Sequence, residues 1–209
     1  MKVLLATAGV ISIGMCVSGL ALSFYSGMLS PKSKSDFIEM PLGNPCGIVV
    51  NEKGRIFIGS CFYSRIQVYE ETGEFDKGWF VNAGGGDFRI RLSNDDLIEI
   101  APLRRKCIWG YSAEGVLLRT ECSNSTSFWQ FKAANEQRAD DNNGNSYLIR
   151  NRIVFPYIVR ACKDGSQDVI VMSPITGILW GPFQIYLFGT TGLLIFIIPY
   201  IFRSRRART

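Results

Sequence analysis

Cys46-Gly-Ile-Val-Val-Asn-Glu-Lys-Gly-Arg-Ile-Phe-Ile-Gly-Ser-Cys61 is the stretch on which the fold turns. Two apolar segments flank a polar Asn-Glu-Lys-Gly, and a glycine after such residues signals chain reversal. Ile48, Val50, Ile56 and Ile58 recur with period 2 among β-favouring neighbours, so the stretch reads as two strands folded on Lys53-Gly54. Arg65-Ile66-Gln67-Val68-Tyr69 alternates again and supplies a third strand, closed by Glu71-Thr72-Gly73.

The plan recurs outward from there. After Phe75, Trp79 and Phe80 comes the break Gly84-Gly85-Gly86, then a strand Phe88-Arg89-Ile90-Arg91-Leu92. A turn at Ser93-Asn94-Asp95-Asp96 returns as Leu97-Ile98-Glu99-Ile100. Ile108-Trp109-Gly110-Tyr111 and Glu114-Gly115 match Ile66 to Tyr69 and Thr72-Gly73 at an offset of 42. A third unit has its turn at Asn142-Asn143-Gly144-Asn145, strands at Ser146 to Ile149 and Val154 to Val159, and closes on Lys163-Asp164-Gly165, 50 residues beyond Gly115. These spacings bracket the repeat length of a propeller blade.

The first unit, from Cys46-Gly-Ile-Val-Val-Asn through Ser64-Arg65-Ile66-Gln67-Val68-Tyr69 to Gly73, resembles an NHL-type β-propeller repeat. That repeat has the form Gly-Ile-Ala-Val-Asp, a glycine turn, Ile-Tyr-Val-Ala-Asp, then Arg-Ile-Gln-Val-Phe and a glycine. The second and third units match in turn placement and strand pattern, and the three together cover Cys46 to Val171. The resemblance implies a binding platform for protein, nucleic acid or a small ligand, and some propellers are enzymes. Closed propellers use four to eight blades. Three units therefore predict an open, mainly β domain, or one completed by other chains.

Of six cysteines, Cys46 and Cys61 are symmetric about Lys53-Gly54, and Cys107 and Cys122 about Glu114-Gly115. In two-residue hairpins each pair would face across the ladder at a wide, hydrogen-bonded position, within disulfide reach. Two staples in an oxidising compartment are the expectation; buried thiols are the alternative. Cys162 is left over, for burial or for pairing with another chain, and Cys16 lies in the first apolar run.

Mean hydropathy of +0.12 averages two unlike materials. Val3 to Pro31 and Val169 to Phe202 carry no charged residue. All 18 acidic residues and all but five of the 23 basic ones lie between them, so that part has no net charge. The excess of +5 is Lys2, Arg203, Arg205, Arg206 and Arg208. Charge placed beside apolar runs argues for membrane topology over a nucleic-acid footprint. A helical crossing needs about 20 apolar residues. The expected organisation is an uncleaved anchor at 1–29, a linker at 30–45, a β-domain at 46–175, a crossing at 178–203 and a basic tail at 204–209. The first run also has signal-peptide character, with Ala21-Leu22-Ser23 as a small-residue site. The arginines put both termini in the cytoplasm and the β-domain in the periplasm or outside the cell.

Candidate chemistry is sparse. The absence of histidine removes most acid–base and triad schemes near neutral pH. Asp95-Asp96 and Asp140-Asp141 sit in turns, where such side chains bond their own backbone. The Asp140 to Asn145 run fails the EF-hand pattern, with Ala139 at position one and Arg150 at position twelve. Gly84-Gly85-Gly86-Asp87 lacks the Lys-Ser/Thr ending of a phosphate loop. Arg104-Arg105-Lys106 reads first as a solvated strand end and second as a contact for lipid headgroups or an acidic partner. Phe128-Trp129-Gln130-Phe131 reads as core packing, or as an exposed edge that binds a partner through Phe128, Trp129 and Phe131. The expectation is a non-enzymatic accessory or scaffold subunit without cofactor or metal. Its partners would be membrane lipid and other membrane protein subunits, in a hetero-complex or a homo-oligomer completing the repeats, with no nucleic acid. The alternative is a membrane-anchored ligand-binding or sensor domain.

Overall fold

In the computed structural model the described residues are 7, 9–14, 16–18, 20–21, 37–42, 44–84, 87–122, 137–150, 156–172, 190, 191 and 194. Twelve strands follow one another: β1 (Pro45–Val50), β2 (Ile56–Ser60), β3 (Arg65–Tyr69), β4 (Phe75–Phe80), β5 (Phe88–Leu92), β6 (Ile98–Pro102), β7 (Cys107–Tyr111), β8 (Leu117–Cys122), β9 (Arg138–Asp140), β10 (Ser146–Arg150), β11 (Tyr157–Ala161) and β12 (Gln167–Met172). They form three antiparallel meanders of four strands: sheet 1 from β1 to β4, sheet 2 from β5 to β8 and sheet 3 from β9 to β12. The fold is mainly β and propeller-like, with open sheets, as the three sequence units anticipate.

Six hairpin turns share one geometry. Residue four donates its N–H to the carbonyl of residue one: Gly54 to Asn51, Gly73 to Glu70, Asp96 to Ser93, Gly115 to Ser112, Gly144 to Asp141 and Gly165 to Cys162. The fourth residue has positive φ in every case, between 56° and 89°. This is the three-residue hairpin with a left-handed residue, whose loop is one residue longer than the two-residue form expected from the cysteine symmetry. Short polar side chains secure the turns locally. Asn51 Oδ1 accepts from the Lys53 and Arg55 amides, and Asp141 Oδ1 from those of Asn143 and Asn145.

Sheet 1 is buried on both faces, and β1, β2 and β3 have no exposed residue. Val49, Phe57, Ile66, Val68 and Trp79 join Phe88, Ile90, Ile98, Ile100 and Tyr111 of sheet 2 in one apolar cluster. Ile48, Val50, Ile56, Ile58 and Tyr69, on the opposite face, join Tyr147, Ile149, Ile158 and Val171 of sheet 3 in another. Gly47 and Gly59 are paired across the ladder and let the Phe88 and Ile90 side chains close onto β1 and β2. Each such aliphatic or aromatic side chain contributes roughly 1.5–3 kcal/mol on burial. The chain's first sheet is thus its middle layer, flanked by the second on one side and the third on the other.

One contact repeats between layers. Gly115, in the β7–β8 turn, sits against the Trp79 ring of β4; Gly73, in the β3–β4 turn, sits against the Ile170 backbone of β12. Sheet 2 therefore stands to sheet 1 as sheet 1 stands to sheet 3. The spatial order is 3-1-2, and corresponding ends of the three sheets fall on the same side of the domain. A meander of four strands has its first and last turns at one end, and its middle turn and both termini at the other. The six glycine-type turns define the far side. The middle turns and the end of β12 define the near side.

One expectation is refined by the structure and another is left without support. Met40, Pro41 and Leu42, assigned to the linker, are buried. Leu42 packs in the cluster between sheets 1 and 3, and the Met40 N–H donates to Gln67 Oε1 at 2.7 Å. Pro41 stops a helix but does not keep the chain off the sheet. The flanking helical crossings also gain no support. Residues 7–21 are helical where described, but no helix of the described residues is long and apolar enough to cross a membrane. The 178–203 run lies outside the described residues apart from 190, 191 and 194.

Candidate functional site

Zero net charge in the middle part conceals a polarity between the two sides. Half of the 18 acidic residues lie in the far-side turns: Glu52, Glu70, Glu71, Glu74, Asp95, Asp96, Glu114, Asp141 and Asp164, with only Lys53, Arg55 and Lys163 among them. Among the described residues, the near-side turns and the connection from β4 to β5 hold Arg104, Arg105, Lys106 and one carboxylate, Asp87. Asp141 is held below its ordinary range: burial acts the other way, and its hydrogen bonds with Asn145, Asn143 and Tyr147 prevail. Its carboxylate serves the turn, as expected, whereas Asp140 ends β9 and accepts from the Arg138 and Ser146 side chains at 2.9 and 2.6 Å instead of from a turn backbone.

An aromatic groove of about 470 Å³ opens where the β7–β8 turn lies over β4, lined by Trp79, Phe80, Asn82, Trp109, Tyr111 and Val116 among others. Trp79 and Tyr111 rings are 6.1 Å apart, and Phe57 meets Trp79 edge-on at 6.3 Å from beneath. Burial pushes the Tyr111 phenol up to about 12, so it stays a neutral hydrogen-bonding group. Beside the groove Val116, Leu117 and Leu118 are 56%, 49% and 61% exposed at the start of β8, the edge of sheet 2. An ion cluster ties the β7–β8 turn to sheet 1. Arg55 binds Asp76 at 2.8 Å, Glu114 at 3.0 Å and Glu70 at 3.2 Å, while Lys77 pairs with Glu114. The hydrogen bond from Lys77, aided by Arg55, holds the Glu114 carboxyl below its usual range.

The outer face of sheet 2 is ionic. Arg91, Glu99, Gly110 and Arg119 lie side by side across its strands. In sheet 1 the corresponding row, 42 residues earlier, is Val49, Phe57, Val68 and Lys77, covered by sheet 2. Glu99 has a side chain only 5% exposed, clamped by Arg91 at 2.5 Å and by Arg119. These groups and the Ser93–Asp95 turn line a polar concavity of about 490 Å³. A face that would otherwise receive another apolar sheet is closed by charge, as in the terminal unit of a repeat array. This favours an open domain over a ring continued through sheet 2.

Both cysteine pairs are bridged, on the near side. Cys107 lies opposite Cys122, at a Cα separation of 4.1 Å that belongs to a narrow rather than the expected wide position. Its symmetry survives because a bulge at Gly110/Tyr111 offsets the extra turn residue. Cys46 falls at the bulge between Pro45 and Gly47, so it reaches Cys61 from outside the register at 5.7 Å. Cys16 and Cys162 are free thiols. Arg104, Arg105 and Lys106 are exposed in the β6–β7 turn. Phe128, Trp129, Phe131 and the arginines at 203, 205, 206 and 208 lie outside the described residues. The groove's Trp79, Trp109 and Tyr111 and the ionic Arg91, Glu99 and Arg119 escaped the sequence reading. Extending the 42-residue offset from turns to single side chains would have exposed the ionic row.

No family model and no curated protein matches the chain. Solved structures do. A streptogramin B lyase aligns at 14% identity over 63% of this chain and 42% of its own, with a TM-score of 0.36. Virginiamycin B lyase from Staphylococcus aureus aligns at 16% identity over 61% and 41%, with a TM-score of 0.35. A protein of unknown function from Bacteroides caccae aligns at 14% over 62% and 46%, with a TM-score of 0.31. The chain thus spans less than half the length of these proteins, and the likeness is one of fold alone. The expectation of a non-enzymatic chain is corrected: structures similar to it include lyases, and the fold does not set it apart from enzymes.

Proposed function

We propose that the chain is an accessory or scaffold subunit of a membrane protein complex, presenting an NHL-like β-domain outside the cytoplasm with both termini inside. The single observation that carries this reading is the separation of charge along the domain in register with its exit. β12 ends on the basic near side, and the crossing expected from residue 178 would begin six residues after Met172, a reach of at most about 20 Å. A second run of comparable character precedes the domain, and the basic residues beyond the two runs fit a cytoplasmic placement. The acidic far side and the aromatic groove would then face partner subunits. Native mass spectrometry of the full chain after mild detergent extraction tests the reading, with co-purified subunits as the expected result. A partner-free monomer carrying one discrete small molecule would sink it. The aromatic groove favours the sensor as second reading, and that outcome would establish it.

A further inference from the structure

We propose that the β6–β7 turn is a lipid-contact site, its three cations resting on anionic phospholipid headgroups. The proposal deepens, and rests on, the membrane reading above. Leu103, 39% exposed, leads the turn, and Arg104, Arg105 and Lys106 follow it into solvent. The turn is braced from behind. The Leu103 N–H donates to the Asp87 carbonyl at 2.7 Å, and an Arg104 Nη1 donates to the Gly84 carbonyl at 3.1 Å. Among the described residues none of the three cations pairs with a carboxylate, which is also true of the isolated Lys53 and Lys163, whereas Arg55, Lys77, Arg91, Arg119, Arg138 and Arg160 all do. Unpaired cations behind one exposed leucine suit an interface, where the apolar side chain enters the headgroup layer and the charges meet phosphate.

Placement selects a membrane over a soluble acidic partner. The turn shares the near side with the end of β12, so a chain crossing soon after Met172 holds that side toward the bilayer. The far side, carrying most of the turn carboxylates, is directed away, which lowers repulsion from an anionic surface. Both bridges also lie on the near side, and Cys107–Cys122 ties down the strand that leaves the turn.

Amide hydrogen exchange, read by mass spectrometry on the full chain in lipid nanodiscs, tests this. Exchange across residues 103–106 should slow at least about fivefold when phosphatidylglycerol replaces a third of the phosphatidylcholine, the effect of one surface cation. The variant Arg104→Gln/Arg105→Gln/Lys106→Gln should lose the difference while keeping the Cys107–Cys122 bridge. If the triple variant fails to fold, Lys106→Gln alone should reduce it. Equal exchange in both lipids, in a chain that resists carbonate extraction, overturns the lipid contact and leaves the membrane reading standing. Extraction by carbonate overturns both. Slowing by inorganic phosphate in detergent, or only with a co-purified protein, overturns the lipid assignment in favour of a free-anion or protein site.

Discussion

Three glycines separate the strain of a turn from the packing of one sheet on another. Gly73, Gly115 and Gly165 occupy the same position in equivalent turns, with φ of 89°, 81° and 88°. Alanine at any of them meets the same left-handed penalty, about 1–2 kcal/mol. Their surroundings differ. A Cβ on Gly165 meets nothing within 4 Å, so Gly165→Ala should cost only that strain. On Gly115 it would lie 2.9 Å from the Trp79 ring, which is 5% exposed and hemmed by Phe57 and Tyr111. Overpacking of this kind adds about 1–3 kcal/mol, so Gly115→Ala should lose roughly 2–5 kcal/mol. On Gly73 it would overlap the Ile170 carbonyl, and backbone cannot swing aside as a ring can. Gly73→Ala should be the worst of the three, at or beyond the upper end of that range. Urea unfolding of the detergent-solubilised full chain, followed by tryptophan fluorescence, gives the order. Equal losses in all three would refute the 3-1-2 arrangement, because the Gly73 contact exists only if sheet 3 flanks sheet 1.

Other consequences follow from the ionic and covalent ties. Arg119→Met should destabilise by about 1–3 kcal/mol, between the values for exposed and buried pairs, because Arg91 still partners Glu99. Adding Glu99→Gln should recover part of the loss in a denaturation cycle; simple additivity would count against the clamp. Lowered in the folded state, Glu114 contributes stability that is present above its unfolded pKa and lost as pH falls through the folded one. At 59% exposure this is worth under about 1 kcal/mol. Urea midpoints below about pH 4 should drop less in Glu114→Gln than in the parent. Burial raises Glu39, against a hydrogen bond with Tyr69, so its contribution has the opposite sense and declines as pH rises through its folded pKa. Non-reducing peptide mapping should recover Cys46–Cys61 and Cys107–Cys122, each with a sequence separation of 15, and reduction of either should cost about 3 kcal/mol. A bridge to Cys162 would contradict the register.

Much of the β-domain was legible because turns are local events. Asn51, Ser93, Ser112 and Asp141 bond amides two and four residues on, and glycine or aspartate then takes positive φ. Such chemistry can be read from five consecutive residues, and five of the six turns carry the glycine in plain view. The bulge at Cys46 was not legible, since an unpaired residue in a ladder depends on what packs beside the strand. The ionic row was half visible. A repeat offset aligns Arg91 with Val49 and Glu99 with Phe57, but only the assembled sheets make one row covered and the other open. The groove joins β4 to the β7–β8 turn, two segments that no short pattern connects.

By itself the sequence determined three β-units, their turn positions, the two uncharged flanks and the confinement of net charge to residues beyond them. Periodicity, turn chemistry and charge bias act over a few residues, so they survive without knowledge of neighbours. Tertiary structure decided that the first unit is the middle layer. Apolar runs such as Ile48-Val49-Val50 and Ile56-Phe57-Ile58 declare two faces to be covered, and shape alone selects what covers them. It likewise decided the polarity of the domain. Charges scattered through the sequence are sorted onto opposite sides because successive turns of a meander alternate between its ends, and equivalent sheets stack in step.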